Sequence, residues 1–315
     1  MISNSEKDFI VDGCRENCRQ DGRTRNEIRS YMTISGSNPS IESNDDDSSE
    51  QHHPPLVLSN GSARVFLATG ETHVLVSVKA ELMTPAMSHP DCGALDIHVD
   101  YMHNPQGMTN SKKDDSMAPT IASLLLPHLV DPKQLCVVPH HFVWKLHLDV
   151  MVLASNGGSL LDACSLGIQA ALRNTVLPQL TPEAAPDGGR PILQIDADLQ
   201  NAVPIPGSEH APIISTVSLL KPNAGSGSAT PILILDATQQ EEACAVSQVH
   251  VVLDRSNQNQ KEPLICAIHK AGGGALPFSL LQDVTSFVLE ANGGAAKVCS
   301  GSGHEHLLQE TFLLQ

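Results

Sequence analysis

The chain has 315 residues, enough for one large or two ordinary domains, and 41% of them are hydrophobic, which places it among globular chains with a sizeable core. Only 3% are aromatic and the formal net charge is −16, so few rings exist to stack on bases and an acidic surface repels phosphates. Sequence-independent nucleic-acid binding by this chain alone is therefore disfavoured, and any polyanion site must be local or borrowed from partners.

The opening MISNSEKDFIVDG has no apolar signal core, and no run reaches the length of a membrane span. The eight cysteines are scattered without a CxxC pair, several inside apolar runs where the thiol acts as a small hydrophobe. Together these features predict a reduced, intracellular chain with no membrane contact. Cys14 and Cys18 have the spacing of one helix face, but no second ligand pair lies near, and none of the fifteen histidines has HExxH spacing. No metal site and no cofactor are predicted from them.

In chain order, residues 3–18 read as a short helix, followed by RQDGRTRNEIRSYMTI, where Arg19, Arg23, Arg25 and Arg29 stand against Asp21 and Glu27. Residues 1–34 thus form a helix and a basic segment. Residues 35–55, SGSNPSIESNDDDSSEQHHPP, have nothing to bury and read as a disordered acidic insertion. Order resumes at Leu56. SARVFLA and HVLVSVKAEL, joined by TGET, read as a hairpin, and ALDIHVDYMH adds an alternating strand. A polar loop holding Lys112, Lys113, Asp114 and Asp115 then leads into a helix over 116–130, capped at Asp115 or Ser116, with Ile121, Leu124, Leu125 and Leu129 at helical spacing.

FVWKLHLDVMVLAS reads as a long strand, NGG as a turn, and SLLDACSLGIQAALRN as a helix. Strand, glycine turn and helix is also how phosphate sites are built, yet no Arg or Lys enters this helix. Asp162 near its start suits the helix dipole and opposes an anion, so packing or capping is the expected role of the turn. Residues 178–191 and 221–230 read as loops. PIISTVSLL, PILIL, VSQVHVVL and PLICAIHKA read as strands, and a helix follows from Pro277 to Ala291. The GGG at 272–274 lacks the lysine of a phosphate loop. Strands followed by a helix, twice over, predict an α+β fold of two similar halves, about 56–177 and 178–298, with a tail at 299–315.

Between PILIL and VSQVHVVL lies a turn with three carboxylates, Asp236, Glu241 and Glu242. It has the makings of a metal site or a partner contact, or of a solvated turn with local side-chain hydrogen bonds. The polar positions of the strand that follows are Ser247, Gln248 and His250, so no carboxylate stands there to move a proton.

RQDGRTRNEIR at 19–29, NGSARVFLATGETHVLVSVKAELMTP at 60–85, LDVMVLASNGGSLLDACSLGIQAAL at 148–172 and DATQQEEAC at 236–244 together resemble the RNase PH family, over most of the chain from residue 5 to about 295. SVKAE and DATQQEEAC point within it to ring subunits of the RNA exosome. The resemblance implies an RNase PH-like fold. Active members shorten RNA from its 3′ end with inorganic phosphate as nucleophile, using an arginine in the glycine turn to hold the phosphate and an aspartate on the strand after the acidic turn. Those positions match Leu160 and Gln248. Leucine offers no guanidinium fork, and an amide neither ionises nor shuttles a proton.

The resemblance therefore implies a non-catalytic ring subunit, a scaffold for 3′–5′ RNA processing and degradation, including rRNA maturation and mRNA turnover. The implied partners are other RNase PH-like ring subunits, cap proteins, and RNA within the assembled ring, in the nucleus, nucleolus and cytoplasm. Lys112 and Lys113, with Arg64 behind them, are the candidate RNA contacts. The enzyme alternative is an active phosphate-dependent 3′–5′ exoribonuclease with a rearranged site, Asp236, Glu241 and Glu242 holding Mg²⁺. A free-standing binding module is the third reading.

Overall fold

The computed structural model describes residues 2–35, 56, 58–67, 71–102, 111–184, 189–196, 198–222, 230–254 and 263–299, with backbone alone at 111–116, 199 and 292–299. The predicted insertion at 35–55 and tail at 299–315 lie outside the described residues except at Ser35 and Cys299, which end a strand and a helix.

Helix α1, Asn4–Arg15, starts at a capping box in which Ser3 and Glu6 satisfy each other's backbone N–H groups, and it buries Ile10, Val11 and Cys14. The first sheet contains β1 (Tyr31–Ser35), β2 (Gly61–Leu67), β3 (Thr72–Met83), β4 (Ala94–Tyr101), β5 (Cys136–Val138) and β6 (Phe142–Ser155). Its order is β1-β2-β3-β6-β4, with β5 on β6; β4 runs parallel to β6 and the other pairs are antiparallel. Strict alternation turns Val65, Val74, Val76, Leu146, Leu148 and Val150 to one face. That face is covered by α2 (Ser111–Leu129) and α3 (Leu160–Arg173), which contribute Ile121, Leu125, Ile168 and Leu172 to the same core. Gly167 sets the closeness of α3 to the sheet, since a Cβ there would stand 2.7 Å from Val76 Cγ2.

After α3 come two small ribbons. One pairs β7 (Val176–Leu177) with β10 (Val203–Pro204), the other β8 (Leu180–Glu183) with β9 (Ile192–Ile195). The second sheet is wholly antiparallel, in the order β12-β11-β13-β14, from β11 (Ile213–Leu220), β12 (Ile232–Leu235), β13 (Ala245–Asp254) and β14 (Leu264–Gly272). Every residue of β11 is buried, because both faces are covered. Ile214 and Val252 join the core under α3, while Val217, Leu219, Val249 and Val251 pack against Val284 and Val288 of α5 (Phe278–Cys299). A third cluster seats α1 on the second sheet, through Ile10, Val11 and Cys14 against Leu220, Ile232 and Ile234.

Several local expectations change. Tyr31–Ser35, expected as the end of a basic segment and the first insertion residue, is strand β1, held by β2 from Tyr31↔Leu67 to Ser35↔Ala63. The loop at 178–191 contains β8, and the acidic turn contains helix α4 (Gln239–Cys244). Helix α2 begins at Ser111, so Lys112 and Lys113 stand in its first turn rather than in a loop and the expected cap at Asp115 or Ser116 is absent. Acids at 114 and 115 favour that longer N-terminus by complementing the dipole. Among the described residues no helix is long and apolar enough to cross a membrane.

Candidate functional site

The turn from β6 into α3 places two successive residues in the left-handed region, Gly158 at φ 78° and Ser159 at φ 49°. Glycine is required at the first, where a Cβ would meet Ala237 O at 2.5 Å and Gln239 N at 2.7 Å. The acidic segment 236–242 thus lies directly against the turn. Thr72 Oγ1 donates to Gly158 O at 2.9 Å, Ser159 Oγ donates to Ala237 O at 3.1 Å, and Arg29 Nη1 donates to Gly157 O at 2.6 Å. The backbone N–H of Ser159 donates to Glu242 Oε1 at 2.8 Å. Ser159 makes no side-chain capping hydrogen bond to α3, and the turn instead packs against the acidic segment, with a carboxylate of another element on the Ser159 N–H.

The other two acids are buried, each 3% exposed, which overturns the expectation of a solvated turn. Asp236 accepts from the Arg29 backbone N–H at 2.7 Å, from Arg29 Nε and Nη2 at 2.9 and 2.6 Å, and from Arg23 Nη1 at 2.9 Å. Glu241 takes a two-pronged contact from Arg19, Nε to Oε1 at 2.8 Å and Nη2 to Oε2 at 2.5 Å, and its Oε2 also accepts from Thr238 N to complete a capping box for α4. Burial alone would raise the Asp236 pKa, but hydrogen bonds and charge from Arg29, then charge from Arg23, hold it below the ordinary value. Burial likewise works against the charge on Arg19, and Glu241 outweighs it. With the oxygens of Asp236 and Glu241 committed to guanidinium groups, a Mg²⁺ site at Asp236, Glu241 and Glu242 would have to displace buried ion pairs. The arginines that neutralise them lie more than 200 positions away in the chain, so neither segment signalled its partner.

Asp162 lies in the first turn of α3, as expected, and makes a further contact that its position did not signal. Its carboxyl reaches the second sheet, accepting from Thr216 N at 3.0 Å and meeting Thr216 Oγ1 at 2.5 Å. Thr216 Oγ1 lies 2.9 Å from His250 Nδ1, and the His250 ring stacks on His269 with centroids 5.8 Å apart. Thr216 and His250 are direct cross-strand partners, as are His250 and His269. Burial pushes the Asp162 pKa up to about 7, against the Thr216 hydrogen bonds and helped by the negative Asp236 and Glu242. Burial, then His269, pushes His250 down to about 4.

Leu160, first residue of α3, packs half-buried against the main core. Gln248 stands two residues before His250 on the same face of β13, and its Nε2 donates to Ser218 Oγ at 3.3 Å. The head of α3 and the Gln248 row therefore share one seam, tied by Asp162 and Thr216. Arg64 is elsewhere. It lies on the face of β2 opposite the helices, its guanidinium 6.0 Å from the centroid of Phe66, which stacks on His73 at 4.1 Å. Lys112 and Lys113 belong to α2 on the other face, and their side chains are outside the described residues. Sequence reasoning missed Ser159, Thr216 and the role of Asp162, because each acts through a contact between distant segments.

Residues 55–178 match the family described as 3′ exoribonuclease family, domain 1, RNase PH. The chain is 29% identical over 217 residues to exosome complex component RRP45A of Arabidopsis thaliana, covering 67% of this chain and 64% of the relative. It is 30% identical over 185 residues to exosome complex component Rrp42 of Thermococcus kodakarensis, covering 57% and 60%. It thus spans under two thirds of the length of each. Among solved structures, a chain of an archaeal exosome core superposes with a TM-score of 0.62 at 19% identity, over 94% of this chain and 96% of that one. The α+β fold is thereby RNase PH-like.

Proposed function

We propose that this chain, an RNase PH-like protein whose residues 55–178 carry the family's first domain, is a non-catalytic subunit of an RNA exosome ring. The observation that carries the reading is the seam at the head of α3. Leu160 stands where the resemblance calls for a phosphate-holding arginine, and Gln248, an amide bonded to Ser218, stands where it calls for an aspartate. Phosphorolysis needs a cation to neutralise the phosphate and an acid to manage the leaving group, and neither Leu160 nor Gln248 supplies one, while the seam's own carboxyl, Asp162, is buried and bonded to Thr216. A six-stranded mixed sheet and a four-stranded antiparallel sheet packed through α3 suit a scaffold that pairs with a catalytic-lineage RNase PH-like subunit, helps close a six-membered ring, supports cap proteins and lines a channel for RNA. Basic neighbours then carry the inner surface that a chain of net charge −16 does not. Lys112, Lys113 and Arg64 are its proposed RNA contacts, and nucleus, nucleolus and cytoplasm its proposed places of work.

Affinity purification of the tagged chain is the test. Recovery of ring and cap proteins in near-equal amounts is the expected outcome, and recovery of the chain alone refutes the reading. The rival, a self-sufficient phosphate-dependent 3′–5′ exoribonuclease, requires the purified chain to release nucleoside diphosphates from RNA with phosphate and Mg²⁺. No release above a buffer blank is expected.

A further inference from the structure

We propose that Glu242 is a built-in anion that occupies the glycine turn at the head of α3 and closes it against phosphate. The inference rests on reading this turn as the degenerate phosphate seat. The Ser159 N–H, which the left-handed geometry at Gly158 and Ser159 aims out of the turn, is already bonded to Glu242 Oε1 at 2.8 Å. The carboxylate comes from the first turn of α4, 83 positions away. It cannot easily drift off, because Glu241 beside it is fixed by Arg19, and Ala237 O is held by Ser159 Oγ at 3.1 Å. The backbone of 237–239 packs on Gly158 too closely for even a Cβ to intervene. A carboxylate held this way competes at high effective concentration, so a free anion must displace a tethered one. Further negative charge surrounds the seat, since Asp236 and Glu242 both act on neighbouring Asp162. The Arg29 guanidinium nearby gives its hydrogen bonds to Asp236 and Gly157 O.

The chain is thus closed in two ways, by the absence of an arginine at Leu160 and by the presence of a carboxylate at Glu242. Restoring the first leaves the second in place, because a new guanidinium at 160 would meet the Glu242 carboxylate before it met phosphate. The variant L160R/Q248D is therefore expected to show no turnover when assayed with RNA, phosphate and Mg²⁺.

The test measures inorganic phosphate binding to the full-length chain by calorimetry and by thermal shift at constant ionic strength, in wild type, L160R, E242Q and L160R/E242Q. Glutamine preserves an acceptor for the Ser159 N–H, which guards the fold, and near-UV circular dichroism verifies it. L160R/E242Q is expected to bind phosphate at least about tenfold more tightly than L160R, with wild type unresponsive. Equal binding by L160R and L160R/E242Q, binding by wild type, or no binding by any folded variant each overturns the proposal. Turnover by wild type on RNA would instead overturn the inert-subunit reading, and the two failures are read in separate experiments.

Discussion

Asp236 concentrates what single residues contribute here. It sits in the left-handed region at φ 46° with its carboxylate buried between Arg29 and Arg23, a placement that only such a dense set of donors sustains. Replacing it with asparagine keeps the shape but leaves two guanidinium groups short of their counter-charge. A loss of about 3–5 kcal/mol in urea denaturation is expected, since breaking a buried pair strands the surviving charge. The pH dependence has a definite sign. The folded-state pKa of Asp236 is depressed, so its contribution is fully present above the unfolded value near 4 and is lost as pH falls through the folded value. Acid unfolding of wild type should therefore be steeper than that of D236N. In the sequence the acids of DATQQEEAC and the arginines of RQDGRTRNEIR were both visible as charges. Their pairing was not, because it depends on α1 delivering residues 19–29 to the end of β12, where Leu235 N donates to Arg25 O at 2.9 Å.

At the scale of elements, the seam between α3 and the second sheet links two titrations of opposite sense. The folded value of Asp162, about 7, lies above its ordinary 3.8, so its contribution is fully present below pH 4 and is lost as pH rises towards 7. That of His250, about 4, lies below its ordinary 6.5, so its contribution is present above pH 6.5 and is lost as pH falls towards 4. Between pH 4 and 6.5 the two slopes cancel. Thr216 Oγ1 sits between the two groups, donating to Asp162 Oδ1 at 2.5 Å and lying 2.9 Å from His250 Nδ1, where it accepts when that nitrogen carries the imidazole proton. D162N should uncover the histidine, with stability climbing between pH 4 and 6.5 by up to about 1.4 kcal/mol per unit, and H250Q should uncover the carboxyl, with the opposite slope. Parallel pH profiles of both variants by chemical denaturation would refute the linkage. The elements of this seam were themselves readable: β6, the glycine turn and α3 announced themselves by alternation, NGG and helical spacing. The short β1 and β8 were not, because strands of four or five residues carry too little alternation to announce themselves and take their conformation from the neighbour they pair with.

For the whole molecule, the N-terminal segment is physically part of the second sheet although it precedes the first in sequence. Helix α1 covers Leu220, Ile232 and Ile234, and Arg19, Arg23 and Arg29 neutralise the carboxylates at the end of β12. The buried ionic lock fixes the end of the second sheet, which suits the scaffold role proposed above. Removal of residues 1–30 would expose one apolar cluster and strand Asp236 and Glu241 without counter-charge. The first sheet, closed by α2 and α3 around its own core, loses only the pairing support next to β1. Amide hydrogen exchange of the truncated chain should therefore show lost protection in β11, β12 and α4 while β3 and β6 keep theirs. Uniform loss across both sheets would mean that the halves fold only together, and uniform retention would mean that the arginine–carboxylate lock contributes little. If the selective outcome holds, the proposed ring assembly predicts that recovery of ring and cap proteins falls with the same deletion, because the second sheet would no longer offer a fixed surface to a neighbour.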